Sequence, residues 1–148
     1  MADPASVHEL VALRLAALDQ RYTRLRRTMV ETLVRARRPL SVPDILDRAE
    51  IPQSTAYRII TDLGDAGIVR RVAGADDHGR FELAEDLAGH HHHLVCAGCG
   101  RVDDVDLMPP LERAIDEAAR ALARAWDFEV LEHRLDLVGR CPECRAVR

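Results

Sequence analysis

All four cysteines of the chain fall in two C-x-x-C pairs, Cys96/Cys99 and Cys141/Cys144. Four thiolates hold zinc tetrahedrally in a closed shell that leaves no position for a substrate. The polar start does not read as a signal peptide, so disulfides are not the expected use of these thiols. A redox dithiol would need a thioredoxin-like setting, and none is present. The expectation is a structural zinc on Cys96, Cys99, Cys141 and Cys144. That bond set constrains the fold: the last strand must return to the knuckle "CAGC".

Four consecutive histidines precede the first pair, in "GHHHHLVCAGCG". In an extended strand successive side chains point to opposite faces. His90 and His92 then share one face, His91 and His93 the other, so the run should divide between two sites. Each face needs further ligands, and Glu82, Asp103, Asp104, Asp106, Glu112, Asp116, Glu117 and His133 are the candidates. Imidazole with carboxylate suits zinc, iron(II), manganese or nickel rather than a soft metal. An adventitious surface tract is the plainer reading, and the adjacent cysteine pairs weigh against it.

The N-terminal half has a different character. Residues 1–75 hold 12 Arg against 9 Asp/Glu, and residues 76–148 hold 9 against 16. A basic first half facing a polyanion and an acidic second half with another task are expected. Helical periodicity marks Ser6–Leu18 and Thr23–Arg35. Ser41 reads as an N-cap with Pro43 in the first turn, ahead of Ile45, Leu46 and Ala49. After a break at Ile51–Pro52, a helix over Ser54–Asp65 buries Ala56, Ile59, Ile60 and Leu63. Ser54, Thr55, Tyr57, Arg58 and Thr61 are left mainly on its outer side. "IVRRV" and "GRFEL" then form a hairpin around "AGADDH". Helix, tight break, helix and hairpin describe a winged helix-turn-helix, whose second helix enters the major groove of DNA. Arg58 can donate to guanine or phosphate, and Tyr57 offers a ring and a hydroxyl.

Beyond the connector "AEDLAG", strands flank the first knuckle. A long amphipathic helix follows over Pro110–Trp126, with Leu111, Ile115, Ala118, Ala119 and Leu122. "FEVLEHRLDLVG" alternates as a strand and delivers Cys141. The fold class is therefore α+β, a winged helix followed by a small α/β unit clasped by its cysteines. Residues 1–84 form the first domain, 85–89 a hinge and 90–148 the second. No apolar run approaches the roughly 20 residues of a bilayer span, and a soluble cytoplasmic protein is expected.

"RYTRLRRTMVETL", "STAYRIITDLGDAGIVRRV" and "RFEL…HHHHLVCAGCGRVDDV…EHRLDLVGRCPEC" resemble the ferric uptake regulator superfamily of bacterial metal-sensing repressors, over roughly Arg21 to Cys144. The resemblance implies a homodimer, formed through the C-terminal unit, that binds a palindromic DNA operator when metal-loaded. It places structural zinc on Cys96, Cys99, Cys141 and Cys144, and a regulatory ion, zinc or iron(II), on Glu82, His91, His93 and Asp104. A second C-terminal site falls on His90, His92 and His133 plus Glu112 or Asp116. Tyr57 and Arg58 match a base-contacting pair, and Arg24 lies near a minor-groove contact. The chain departs from the pattern in three ways. Many members supply a histidine just before the helix that starts here near Ser41, whereas this chain has none between His8 and His78. "AEIPQS" is short, and the Pro110–Trp126 helix is about a turn longer than usual.

A metal-dependent transcriptional repressor of metal-homeostasis genes, not an enzyme, is the expected function. The alternatives are a zinc hydrolase built on the histidines, for which no H-E-x-x-H motif is present, and a zinc-ribbon interaction module without sensing.

Overall fold

The computed structural model describes residues 4–72 and 79–146. The hairpin loop expected over 73–78 lies outside the described residues.

Helices α1 (Pro4–Ala16) and α2 (Arg24–Ala36) form where the apolar spacing predicts them. Thr23 caps α2, its hydroxyl accepting from the Arg26 N–H at 3.4 Å. The first helix stops two residues before Leu18, because Asp19 turns the chain at φ 54°. Strand β1 (Leu40–Ser41) leads into α3 (Val42–Leu46), which Ser41 and Asp44 start with a reciprocal capping box. Helix α4 (Gln53–Asp65) buries Ala56, Ile59, Ile60 and Leu63, and Gly67 at φ 64° ends the turn that follows it.

Strands β2 (Val69–Val72) and β3 (Arg80–Leu83) pair antiparallel, and β1 adds to the other edge of β3. This small sheet with α2, α3 and α4 is a winged helix-turn-helix. Its apolar cluster reaches from Val7, Val11 and Leu15 of α1 to Leu83 and Leu87, with Leu15, Met29, Leu40, Ile45, Leu63 and Ile68 fully buried. Leu87 belongs to α5 (Glu85–Ala88), the short helix that forms within the expected connector.

The second sheet has the order β5-β4-β6. Strand β4 (His92–Cys96) pairs antiparallel with β5 (Val102–Val105), through the turn that holds Cys96 and Cys99. Helix α6 (Pro109–Trp126) leads to β6 (Asp136–Gly139), which lies parallel to β4, and α7 (Pro142–Ala146) carries Cys144. Two expectations need correcting here. The strand starts at His92, so His90 and His91 precede it. Of "FEVLEHRLDLVG" only Asp136–Gly139 becomes strand, because residues 128–134 meet no neighbouring strand among the described residues and Leu135 offers β4 only its carbonyl, to the His93 N–H at 3.2 Å. The apolar stripe of α6 is not buried: Leu111 and Leu122 are exposed, as are Trp126, Phe128 and Leu131.

Candidate metal centres

Three clusters of ligand-type side chains form among the described residues: Cys96, Cys99, Cys141 and Cys144; His90, His92, Glu112 and His133; and Glu82, His91, His93 and Asp104. Within each, one potential ligand atom per residue lies within 4.8 Å of the others.

The cysteine cluster joins the β4–β5 turn to the entry of α7. Sulfurs about 2.3 Å from one tetrahedral zinc stand about 3.8 Å apart, and the Cys99 and Cys141 sulfurs are separated by 3.8 Å. A Cβ on Gly98 would stand 2.9 Å from the Cys144 sulfur, so the knuckle needs glycine there. The Cys141 N–H donates to the Cys96 sulfur at 3.2 Å. Hydrogen bonds from the Cys141 and Cys99 backbone bring the Cys96 thiol down to about 6. Contact with the Cys141, Cys99 and Cys96 side chains pushes Cys144 up to about 12. Four thiolates at this spacing repel one another without a cation, and the donor set fits zinc.

The second cluster lies between the start of β4, the first turn of α6 and His133. The His90 Nε2 is 3.2 Å from Nε2 of both His92 and His133. A proton can bridge one such pair of ring nitrogens but not three converging ones. Tetrahedral zinc–imidazole bonding would place these nitrogens about 3.3 Å apart. Glu112 spans the group: Oε1 lies 2.9 Å from His90 Nε2 and 2.8 Å from His133 Nε2, and Oε2 lies 2.9 Å from His92 Nε2. Asp116, the other carboxylate considered from sequence, stands one turn further on and faces Nδ1 of His133 at 3.5 Å, outside the cluster. The His92 ring is buried, and its Nδ1 has no hydrogen-bond partner among the described residues.

The third cluster joins the two halves of the chain. Glu82 is buried on β3 of the winged helix, and its Oε2 lies 3.2 Å from His91 Nε2 and 3.1 Å from His93 Nε2. Asp104 on β5 is more open, with Oδ1 4.0 Å from His93 Nε2. The Gly89 carbonyl accepts from His91 Nδ1 at 2.9 Å, so Nε2 donates to Glu82 while the ring is protonated and would offer its lone pair to an ion once that proton is lost. Asp136 Oδ1 holds Nδ1 of His93 at 3.1 Å in the same way. Such outer partners fix the ring and tautomer of a ligand histidine. Burial would raise the Glu82 carboxyl, but bonds with His91 and His93 and the Arg70 charge outweigh it and bring it to about 2. The bond to Glu82 lifts His91 to about 9 against the effect of burial. Burial raises Asp104 above the ordinary carboxylate range.

No histidine of the winged helix joins this cluster among the described residues. His8 is bonded to the Tyr22 hydroxyl at 2.5 Å instead. Where a further ligand would enter, a cavity is lined by Leu33, Arg37 and Arg38 on one side and Glu82, His91 and Asp104 on the other. Asp103 bonds Arg101 on the surface, and Asp106 and Glu117 join no cluster among the described residues.

Elsewhere on the winged helix, Ser54, Tyr57 and Arg58 of α4 and Arg24 of α2 are exposed, and Thr55 is half-buried. Arg26 ties the start of α2 to this helix through Asp62 at 2.7 Å, and its other Nη donates to the Arg21 carbonyl just before α2 at 2.9 Å. Thr55 and Arg58 line a surface hollow with Arg21 and Arg26. Arg58 of α4 with Arg21, Arg24 and Arg26 beside it makes this side of the helix-turn-helix predominantly basic.

Sequence reading missed Arg70, Glu85 and Asp136. Hairpin symmetry was the available signal for Arg70, which stands opposite Glu82 in the ladder. Glu85 sat in a segment read as a plain connector. Asp136 pairs with His93 across a parallel register that spacing does not fix.

A winged helix bound through a buried carboxylate to a histidine- and cysteine-rich sheet defines a two-unit protein with metal-site architecture. Residues 17–138 match the model of the Ferric uptake regulator family. The chain belongs to that family. It is 33% identical over 96 residues to the ferric uptake regulation protein of Legionella pneumophila, covering 65% of each chain. The same protein of Bacillus subtilis (strain 168) is 33% identical over 96 residues, covering 64% of this chain and 61% of the relative. The matched part is thus a little under two thirds of each relative's length. The ferric uptake regulator of Vibrio cholerae superposes with a TM-score of 0.68 at 26% identity, over 86% of this chain and 96% of that one.

Proposed function

We propose that the chain is a cytoplasmic, metal-dependent transcriptional repressor that binds a palindromic operator as a homodimer and is not an enzyme. The observation that carries this reading is Glu82. It lies on the wing sheet, and its free oxygen faces two imidazoles at the start of the C-terminal sheet. In this reading residues 1–84 bind DNA, 85–89 are the hinge and 90–148 dimerise.

Cys96, Cys99, Cys141 and Cys144 would hold structural zinc. Glu82, His91, His93 and Asp104 would hold the regulatory ion, zinc or iron(II), with manganese and nickel also compatible with the donors. His90, His92, Glu112 and His133 would hold another. The ion at the hinge supplies positive charge that several anionic and imidazole donors can share. Glu82 and the His91/His93 pair then fix the angle between the units, which sets the distance between recognition helices in a dimer. Arg58, Tyr57, Ser54 and Thr55 would meet bases and phosphates, and Arg24 the backbone or minor groove. The exposed Trp126, Phe128, Leu131 and Val138, with residues 129–134 in no strand ladder among the described residues, support a second copy as the occupant of that face.

The test measures binding to duplex DNA selected from a randomised pool, at buffered free zinc or iron(II). Wild-type protein is expected to bind only when metal is available, and the His91→Ala/His93→Ala variant is expected to lose the metal-driven step. Equal binding by chelated wild type, metallated wild type and the double variant would sink the proposal.

A further inference from the structure

Arg70 lies on β2, directly opposite Glu82 on β3, and its side chain is 16% exposed. Its Nε donates to Glu82 Oε1 at 2.6 Å. Its Nη1 reaches Glu85 Oε2, the first residue of α5, at 3.5 Å. The other oxygen of each carboxylate faces a histidine cluster. Glu82 Oε2 faces His91 and His93, and Glu85 Oε1 is hydrogen-bonded to Nδ1 of His90. The Nε2 of the same His90 ring points at His92, Glu112 and His133. One guanidinium thus stands between the two clusters and touches neither set of imidazoles.

Two physical consequences follow from this geometry. A carboxylate with one oxygen held by a largely buried guanidinium is restricted in rotation, which keeps its second oxygen aimed at the imidazoles. A carboxylate on the far nitrogen of a ligand histidine fixes that ring and raises its basicity. Arg70 does the first for Glu82. Through Glu85 it secures the second for His90. Arginine suits both tasks at once because its planar fork offers separate donors to two acceptors, whereas lysine offers one point of charge.

We propose that Arg70 is a positioning residue shared by the hinge cluster and the His90 cluster, so that the wing strand β2 is tied to both ion sites. This rests on the reading of the two clusters as metal sites. Arg70 holds the hinge donor Glu82 directly and the donor His90 through Glu85.

The test uses full-length protein that keeps its structural zinc and is stripped of exchangeable ions. Cobalt(II) is added at buffered concentrations without DNA, and its visible absorption is followed. His91→Ala and His133→Ala supply the spectra of protein lacking one site each. Arg70→Met is expected to weaken cobalt binding at both sites, each on the order of 10- to 100-fold. Arg70→Lys should recover most of the hinge affinity and little at the His90 cluster. Glu85→Gln should weaken the His90 cluster alone. A purely structural role for Arg70 would lower the thermal midpoint without this site-by-site pattern. If Arg70→Met leaves either site at wild-type affinity, the shared role is wrong. Should Arg70→Met not fold, unchanged cobalt binding at the His90 cluster in Glu85→Gln overturns it equally. If His91→Ala and His133→Ala both bind two cobalt ions as wild type does, the metal-site reading itself fails, a result distinct from any outcome with Arg70.

Discussion

The two halves of the molecule are held together by different means. The winged helix has a continuous apolar core, in which Val11, Leu15, Met29, Leu40, Ile45, Leu63 and Ile68 are shut off from solvent. Among the described residues the second sheet shares a core cluster of only Val72, Val95 and Val102, and one of those comes from the wing. No residue of α6 is buried, while Trp126 is 78% exposed and Leu131 85%. The first unit can fold on burial alone. The second has too little buried surface to do so, and what it has in place of a core is a ring of thiols and an apolar face turned outward.

The largest expected effect breaks that contrast at its staple. Removing the structural ion, by Cys96→Ser or by strong chelation, should unfold the C-terminal unit while the winged helix stays folded. Structural zinc contributes on the order of 10 kcal/mol in small domains, more than a three-residue core can replace. Hydrogen exchange resolves the outcome: amides of β4 and β6 should lose protection, and those of α2 and α4 should keep it. Protection retained in β4 after metal loss would mean that the second sheet stands without its clasp.

A matched pair of core and surface changes sharpens the same contrast. Leu63→Ala removes a fully buried side chain and should lower the stability of the winged helix by about 2–5 kcal/mol. Leu131→Glu alters a side chain that is 85% exposed in the single chain and should leave subunit folding within about 0.5 kcal/mol. If Leu131 lies in a dimer interface, the same change should lower the mass seen by sedimentation from dimer towards monomer. Thermal melts and sedimentation of both variants separate the two effects. A Leu131→Glu variant that keeps the wild-type mass would remove that face from the interface.

These differences also explain which parts of the molecule were legible from sequence. Ala56, Ile59, Ile60 and Leu63 announce their buried stripe because helical period and burial are set within one element. Ser41, three residues before Asp44, announces a cap for the same local reason. The division of the histidine run is legible too, since alternation of side chains needs no tertiary information; the structure sets His90 with His92 and His91 with His93. Glu112 against Asp116 was not, because the choice depends on how α6 is rotated over β4. Both residues face His133, and only the tertiary arrangement brings Glu112 to three imidazoles at once. Residues 129–134 have the alternation of a strand yet join no ladder among the described residues, because a strand exists only where a neighbour offers one. Hairpin symmetry can set Arg70 opposite Glu82, but no spacing rule brings Glu85 of the short helix α5 to the same guanidinium.

The smallest effect tests whether the winged helix owes its local order to the same self-sufficiency. At the start of α3 the Ser41 hydroxyl donates to Asp44 Oδ2 at 2.7 Å, and the Ser41 N–H donates to the same oxygen at 3.1 Å. The Asp44 N–H in turn donates to Ser41 Oγ at 3.3 Å. Burial would raise the Asp44 carboxyl, but these bonds and the charges of Arg38 and Arg48 outweigh it and hold the group below its ordinary value. A carboxyl depressed in the folded state adds stability above its unfolded pKa, and that stability is lost as pH falls through the folded value. Ser41→Ala should therefore cost about 1 kcal/mol near neutral pH. Asp44→Asn should be less stable than wild type near neutral pH, and that gap should close as pH drops below about 4, the ordinary range of aspartate. Denaturant melts of wild type and both variants at several pH values check this. A gap for Asp44→Asn that stays constant down to acid pH would show that the bonds to neutral Asp44 suffice, and that its charge adds nothing to the cap.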